Sequence, residues 1–243
     1  MDERYYEDIK EIKEILRNSS HAVFFGGAGV STASGIPDFR GAAGLYTVSN
    51  EPAEYFLSRE CLVNEPERFF QFYREKMLYP DALPNDAHFA LASLEKEGII
   101  KAVITQNIDG LHQMAGSKEI LELHGTVARS YCDRCGKTYP FDFISTAAGV
   151  PRCTCGSIVR PDVTLYGESL PADAFNRAAE HIEKADVLIA AGTSLTVYPA
   201  ASLVANFKGD HLIIINYSST PYDGLAEYVI RDSIVEVLPY LSK

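Results

Sequence analysis

Four short apolar runs punctuate the chain: Ala22-Val23-Phe24-Phe25, Ala102-Val103-Ile104, Val187-Leu188-Ile189-Ala190-Ala191 and Leu212-Ile213-Ile214-Ile215. None alternates with polar residues, and unbroken apolarity is how strands covered on both faces read. Between the runs the apolar positions fall at helical spacing. Tyr5, Ile9, Ile12 and Leu16 form one such face, Phe69, Phe70, Tyr73 and Met77 a second, Phe89, Leu91 and Leu94 a third, and Phe175, Ala178, Ala179 and Ile182 a fourth. Start and stop signals frame them. Asn64 with Glu67 three residues on predicts a cap, with Pro66 in the first turn. Asp86 predicts the cap of a helix that Gly98 would end. Pro171 precedes the fourth face, and Pro199 opens a further helix through Leu203. Strand and helix therefore alternate, and an α/β fold built on a parallel doubly wound sheet is expected.

Two segments break the alternation. Residues 42–84 hold no buried-strand signal and read as a helical excursion rich in aromatics and proline. Residues 127–160 carry four of the five cysteines, with too little apolar content to form a core alone. Composition narrows the rest: 243 residues, 47% hydrophobic and 23% charged, are values of an ordinary globular chain. No apolar run approaches the ~20 residues that span a bilayer. The acidic start Met1-Asp2-Glu3-Arg4 is unlike a secretory signal, so a cytoplasmic location without membrane contact is expected. A net charge of −11 argues against nucleic acid as the main partner; it is compatible with a basic peptide.

Candidate chemistry gathers at the ends of the strand runs. Gly26-Gly27-Ala28-Gly29 follows the first run, where small residues would let backbone approach a pyrophosphate and a following helix would offer its N-terminus. The match to the dinucleotide fingerprint is imperfect, because Thr32 takes the third glycine's place and no acidic residue ends a next strand. Thr105-Gln106-Asn107-Ile108-Asp109-Gly110 follows the second run. Gly192-Thr193-Ser194 and Asn216 follow the last two, and they are candidates for ribose and phosphate contacts. His124, after Leu121–Leu123 and before Gly125, has the ordinary imidazole pKa of ~6.5 that suits a proton acceptor; each of the other histidines shares that property. Cys132-x-x-Cys135 and Cys153-x-Cys155 are two close thiol pairs, as tetrahedral structural zinc requires. A redox dithiol and unliganded buried thiols are the alternatives, and Cys61 is left over as a core residue.

These residues in this order resemble the sirtuins, the NAD-dependent protein deacylases. The motifs are GAGVSTASGIPDFRG, TQNIDGLH, His124-Gly125, the four-cysteine insertion and GTSLTVYPAA, and the resemblance spans about residues 21–235. The chain is most similar to short bacterial members with little beyond the catalytic core. The resemblance implies a Rossmann-like domain of residues 1–41, 85–126 and 161–243. It also implies a helical insertion with the cofactor loop at 42–84 and a zinc-binding insertion at 127–160. Ala28, Thr32, Asp38, Phe39 and Arg40 would lie along NAD. Gln106, Asn107, Ile108 and Asp109 would frame the nicotinamide and its ribose. Thr193, Ser194, Asn216 and Ser233 would face the adenosine half. Thr164, Tyr166, Gly167 and Val197 would hold the acetyl-lysine peptide. The acyl oxygen would attack ribose C1′ as nicotinamide leaves, with His124 then acting as base on a ribose hydroxyl and Asn107 and Asp109 orienting the reactants. A monomer is the family default.

The implied function is NAD-dependent protein-lysine deacetylation. Its rivals are mono-ADP-ribosyl transfer or NAD hydrolysis, and a non-enzymatic NAD-sensing module. Departures from the family pattern are Thr164 for a frequent Val, Tyr166 for a frequent Phe, and the shortened Cys-x-Cys pair. Desuccinylating members carry Tyr-x-x-Arg on the helix matching residues 66–78. The alignment puts Glu75 at that Tyr, so neutral acyl groups are expected.

Overall fold

A computed structural model describes residues 3–38 and 53–243. Six parallel strands form the central sheet: β1 (Ala22–Gly26), β2 (Ile100–Thr105), β3 (Ile120–Glu122), β7 (Val187–Ala191), β8 (His211–Ile215) and β9 (Tyr228–Ile230). Their order is β3-β2-β1-β7-β8-β9. The winding reverses at β1, which pairs with β2 on one side and β7 on the other. Such a switch point opens a crevice beyond the carboxyl ends of the strands.

The apolar runs are fully buried because alternate residues feed two separate cores. Phe24, Val103, Ile189 and Ile213 face one side, packed by Ile9, Ile12 and Leu16 of the Glu3–Asn18 helix, by the Asp86–Lys96 helix and by the C-terminal Ile234–Leu241 helix. Phe25, Ile104, Leu188 and Ile214 face the other, against Ala178 and Ile182 of the Ala172–Lys184 helix and Leu203 of a 3-10 segment, Ala200–Asn206. The four strand runs and the four helices read from the pattern are present, but Phe89 does not share the third buried face: it is 51% exposed, and Ala87, Ala90, Leu91 and Leu94 form that face. Two caps sit one residue away from their expected places. Asn64 ends the Arg59–Asn64 helix, so Glu65 precedes Pro66 of the Pro66–Lys76 helix. Asn85 rather than Asp86 caps the Asp86–Lys96 helix, its side chain accepting from Ala87 N at 3.0 Å.

The glycine-rich turn after β1 differs more. The chain forms two 3-10 turns, Ala28–Val30 and Thr32–Ser34, and residues 35–38 directly after them are not helical. Gly35 at φ 84° ends the second turn, and Pro37 disfavours helical backbone at Ile36. Gly29 makes room for the neighbouring backbone: a Cβ there would sit 2.7 Å from Gly192 Cα, and Gly29 N donates to Gly192 O at 2.8 Å.

The cysteine-rich insertion is built on an antiparallel sheet, β5-β4-β6, of β4 (Gly125–Cys132), β5 (Thr138–Pro140) and β6 (Val159–Val163). Strands β4 and β6 run a few residues past the expected limits of 127 and 160. Short helices Ala53–Phe56 and Arg59–Asn64 and the Pro66–Lys76 helix pack against it through Leu57, Phe69, Phe70, Tyr73, Val163 and Leu165. Phe39, Arg40 and the start of the expected 42–84 excursion lie outside the described residues. No helix among the described residues is long and apolar enough to cross a membrane.

Candidate active site and zinc knuckle

The loops leaving β1, β2, β7 and β8 and the turn after β3 surround one cavity of about 1020 Å³. That is the upper end of the range for small-molecule sites. Ala28, Thr32, Asp38, Gln106, Asn107, Ile108, Asp109, His124, Thr164, Tyr166, Gly167, Thr193, Ser194, Val197, Asn216 and Ser233 all line it. Residues spread over two hundred positions are thus brought together, and only Phe39 and Arg40 of the expected non-cysteine set lie outside the described residues.

A chain of hydrogen bonds holds the β1 and β2 loops to each other. Asn107 Nδ2 donates to Gly27 O at 3.1 Å and to Ser31 Oγ at 3.0 Å. Ser31 Oγ donates to Asp109 Oδ2 at 2.7 Å, and Leu111 N donates to Asp109 Oδ1 at 2.9 Å. Both carboxylate oxygens of Asp109 are therefore held in place by the protein. Ser31 is 1% exposed and was not among the expected site residues. Its signal was its place inside the glycine-rich motif. From below, Asn85 Nδ2 donates to Val30 O at 2.8 Å and to Ser34 Oγ at 2.9 Å, so the helix cap also fixes the β1 loop.

Gln106 bridges toward β7. Thr193 Oγ1 donates to Gln106 Oε1 at 2.7 Å, which fixes the amide orientation and leaves Nε2 as a buried donor without a protein partner among the described residues. A buried donor of this kind costs stability until a ligand satisfies it. A polar ligand in the cavity, such as a nicotinamide ribose, fits that need.

His124 is oriented by a backbone carbonyl: its Nδ1 lies 2.8 Å from Gln106 O. A carbonyl only accepts, so Nδ1 carries the proton and neutral His124 presents Nε2 as a bare lone pair. Burial lowers its pKa below the ordinary imidazole value, and the bond to Gln106 O opposes that shift. The imidazole is thereby a free base at neutral pH. Gly125 lets the chain turn directly after it; at φ 77° its Cβ would fall 2.1 Å from Asp162 O, so no side chain fits.

The peptide end of the cavity includes residues beyond the expected ones. Val163 and Leu165 point into the apolar cluster, 8% and 3% exposed, whereas Tyr166 is 39% exposed. Leu165 lines the cavity beside the expected Tyr166 and was missed, because no motif marks an apolar residue in an extended segment. Glu75 does not reach the cavity. It is exposed and accepts from Gln71 Nε2 at 3.1 Å on its own helix. Tyr73 and the exposed Lys76 of that helix line the cavity instead. Burial raises the Tyr73 phenol pKa, and its hydroxyl has no partner among the described residues.

The four cysteine sulfurs lie within 4.8 Å of one another. Cys132 Sγ is 3.4 Å from Cys155 Sγ and Cys135 Sγ is 3.6 Å from Cys153 Sγ, too far for disulfides. Sulfurs around tetrahedral zinc at ~2.3 Å stand roughly 3.8 Å apart, so the set fits the ion. The Cys155 backbone N–H and the Tyr139 hydroxyl push Cys153 down to about 5, favouring the thiolate that a metal binds. All four ligand positions come from protein, which leaves none open for catalysis.

With this geometry in view, comparison with known proteins is direct. The Sir2 family model matches residues 27–199. The chain belongs to the Sir2 family. An NAD-dependent protein deacetylase of Clostridium perfringens is 54% identical over 240 residues, covering 96% of this chain and 97% of that protein. One from Cutibacterium acnes is 51% identical over 232 residues, covering 94% and 95%. Among solved structures, a Sir2 variant with deacetylated p53 peptide and 3'-O-acetyl ADP ribose superposes with a TM-score of 0.90 at 41% identity, covering 96% of each chain. A Sir2 complex with p53 peptide and NAD+ gives a TM-score of 0.86 at 42% identity and 95% coverage of each. Family membership accounts for the Rossmann-like sheet and the cysteine module in one chain.

Proposed function

We propose that this chain is an NAD-dependent protein-lysine deacetylase that transfers the acetyl group to ADP-ribose and releases nicotinamide. The observation that carries the reading is the imidazole of His124, held by Gln106 O with its Nε2 free, in the same cavity as the unsatisfied Gln106 amide and the anchored Asp109.

NAD supplies an electrophilic ribose carbon and a cationic leaving group. The protein's part is to bind, orient and move a proton. Gln106, Asn107, Ile108 and Asp109 surround the nicotinamide ribose, with Asp109 fixed by Ser31 and Leu111 so that its position survives departure of the leaving group. His124 Nε2 takes the proton from a ribose hydroxyl, a general-base step worth about 10²–10⁴-fold. Ala28, Thr32, Asp38, Phe39 and Arg40 flank the phosphates and the reacting centre. Thr193, Ser194, Asn216 and Ser233 hold the adenosine half. Thr164, Tyr166, Gly167 and Val197 receive the peptide, and Val163 and Leu165 form the apolar wall for the lysine stem. Cys132, Cys135, Cys153 and Cys155 hold structural zinc. The NAD-binding unit comprises 1–41, 85–126 and 161–243, completed by the 42–84 and 127–160 insertions. The protein acts as a cytoplasmic monomer.

A panel of acetyl, longer neutral acyl and succinyl lysine peptides, assayed with and without NAD, tests this. Acetyl removal that depends strictly on NAD is expected. Failure to deacylate any peptide would sink the reading.

A further inference from the structure

One polar span connects the zinc knuckle to the peptide end of the cavity. Asp133 sits between Cys132 and Cys135, and its carboxylate accepts both Arg59 Nη1 and Nη2 at 2.9 Å in a two-pronged pair. Arg59 Nη1 also lies 3.9 Å from Glu168 Oε1. Glu168 accepts from Leu165 N at 3.0 Å and from Arg160 Nη2 at 2.8 Å, while that Nη2 also donates to Val163 O at 2.9 Å. Arg160 is 3% exposed. The backbone of Arg59 grips the same stretch: Arg59 N donates to Tyr166 O at 3.0 Å, and Tyr166 N donates to Leu57 O at 2.9 Å.

We infer that Arg59 is a positioning residue for the acyl-lysine peptide, setting the conformation of residues 163–168 from the zinc knuckle through Asp133 and Glu168. The inference rests on the deacetylase reading above. Two segments distant in sequence meet at Arg59: the knuckle by a bidentate pair to its guanidinium, and the substrate stretch by its backbone N–H to Tyr166 O and by the charge of its guanidinium near Glu168. A bidentate guanidinium pair fixes direction as well as distance, which a single charge does not. Arg59 and Asp133 line no part of the cavity. Their effect on substrate therefore acts through Leu165, Tyr166 and Glu168, which do. The β1 and β2 loops that would hold NAD are outside this span, so the effect should fall on peptide and spare the dinucleotide.

The test uses the zinc-loaded full chain and a fluorescein-labelled acetyl-lysine peptide read by anisotropy, with NAD affinity from calorimetry and bound zinc from a colorimetric chelator. Arg59→Ala and Asp133→Ala should each weaken peptide binding about tenfold, and the double variant should be no weaker than the worse single one, as for residues in one network. Arg59→Lys, which keeps charge and loses the fork, should fall between Arg59→Ala and the unsubstituted protein. NAD affinity should stay within twofold and zinc at one per chain. Unchanged peptide affinity in Arg59→Ala, or equal weakening of peptide and NAD, overturns the inference. If Asp133→Ala loses zinc, the ordering of Arg59→Ala and Arg59→Lys decides alone. No peptide binding by the unsubstituted protein overturns the deacetylase reading itself and this inference with it.

Discussion

Single side chains set the chemistry here through their partners more than through their identity. His88, His112 and His124 are all buried or half-buried histidines, yet only His124 combines a carbonyl on Nδ1 with a place on the cavity wall. His124→Ala should lower turnover by about 10²–10⁴ while leaving NAD affinity within a few-fold, measured by steady-state kinetics and calorimetry. Because its pKa lies below the ordinary imidazole value, the rate should rise with pH through a midpoint below ~6.5 and be flat above it. A midpoint above neutrality would remove His124 as the base. Tyr73 gives the opposite kind of prediction. Its hydroxyl is buried without a partner among the described residues, so Tyr73→Phe deletes an unsatisfied group, keeps the ring stacked on Phe69, and should be neutral or stabilising by roughly 1 kcal/mol in urea unfolding. At this scale the sequence was legible in part: each expected non-cysteine residue within the described ones lines the cavity, whereas Tyr73, Lys76, Leu165 and Glu168 line it with no motif to mark them. Ser31 was missed because its role depends on a hydrogen-bond partner, which residue type does not reveal.

Elements carry the second level of the account. The long runs and faces were readable because burial on both sides of a sheet imposes continuous apolarity and burial of one helix side imposes a 3.6-residue period. Strands β5 and β9 are three residues each, too short for any period to register. The turn after β1 was read as a helix start because small residues fit a helix N-terminus and a close backbone approach alike, and residue type does not reveal the approach of Gly192 to Gly29. Asn85 shows how an element end serves a site. It caps one helix and bonds Val30 O and Ser34 Oγ of the β1 loop at once. Asn85→Ala loses the cap, at about 1 kcal/mol, and strips the buried loop of donors at a further 1–3 kcal/mol. Asn85→Asp keeps the cap and loses the donors. NAD affinity should therefore fall in both variants, while thermal stability should fall most in Asn85→Ala; equal stability of the two would contradict the double role.

For the whole molecule, the buried pair His88 and His112 ties stability to pH. Their ring centroids are 4.7 Å apart beneath the β1 and β2 loops. Burial pushes His88 down to about 4, against the pull of Asp109, and His112 down to about 3, with His88 adding to the shift. Depressed folded values mean that the unfolded chain takes up protons first. The contribution of the pair is complete above pH ~6.5 and is lost as pH falls toward about 4 and then about 3, at up to roughly 1.4 kcal/mol per pH unit for each histidine. Urea midpoints should accordingly drop between pH 7 and pH 5, and the drop should shrink in His112→Phe. An unchanged slope in that variant would assign the acid sensitivity elsewhere. The same loops meet over one cavity, and the central claim is that this cavity couples loss of nicotinamide to acyl transfer. Counting nicotinamide and deacetylated peptide in a single reaction tests it most directly. The account predicts one nicotinamide per lysine freed and none without acetylated peptide; steady nicotinamide release in the absence of peptide would contradict it.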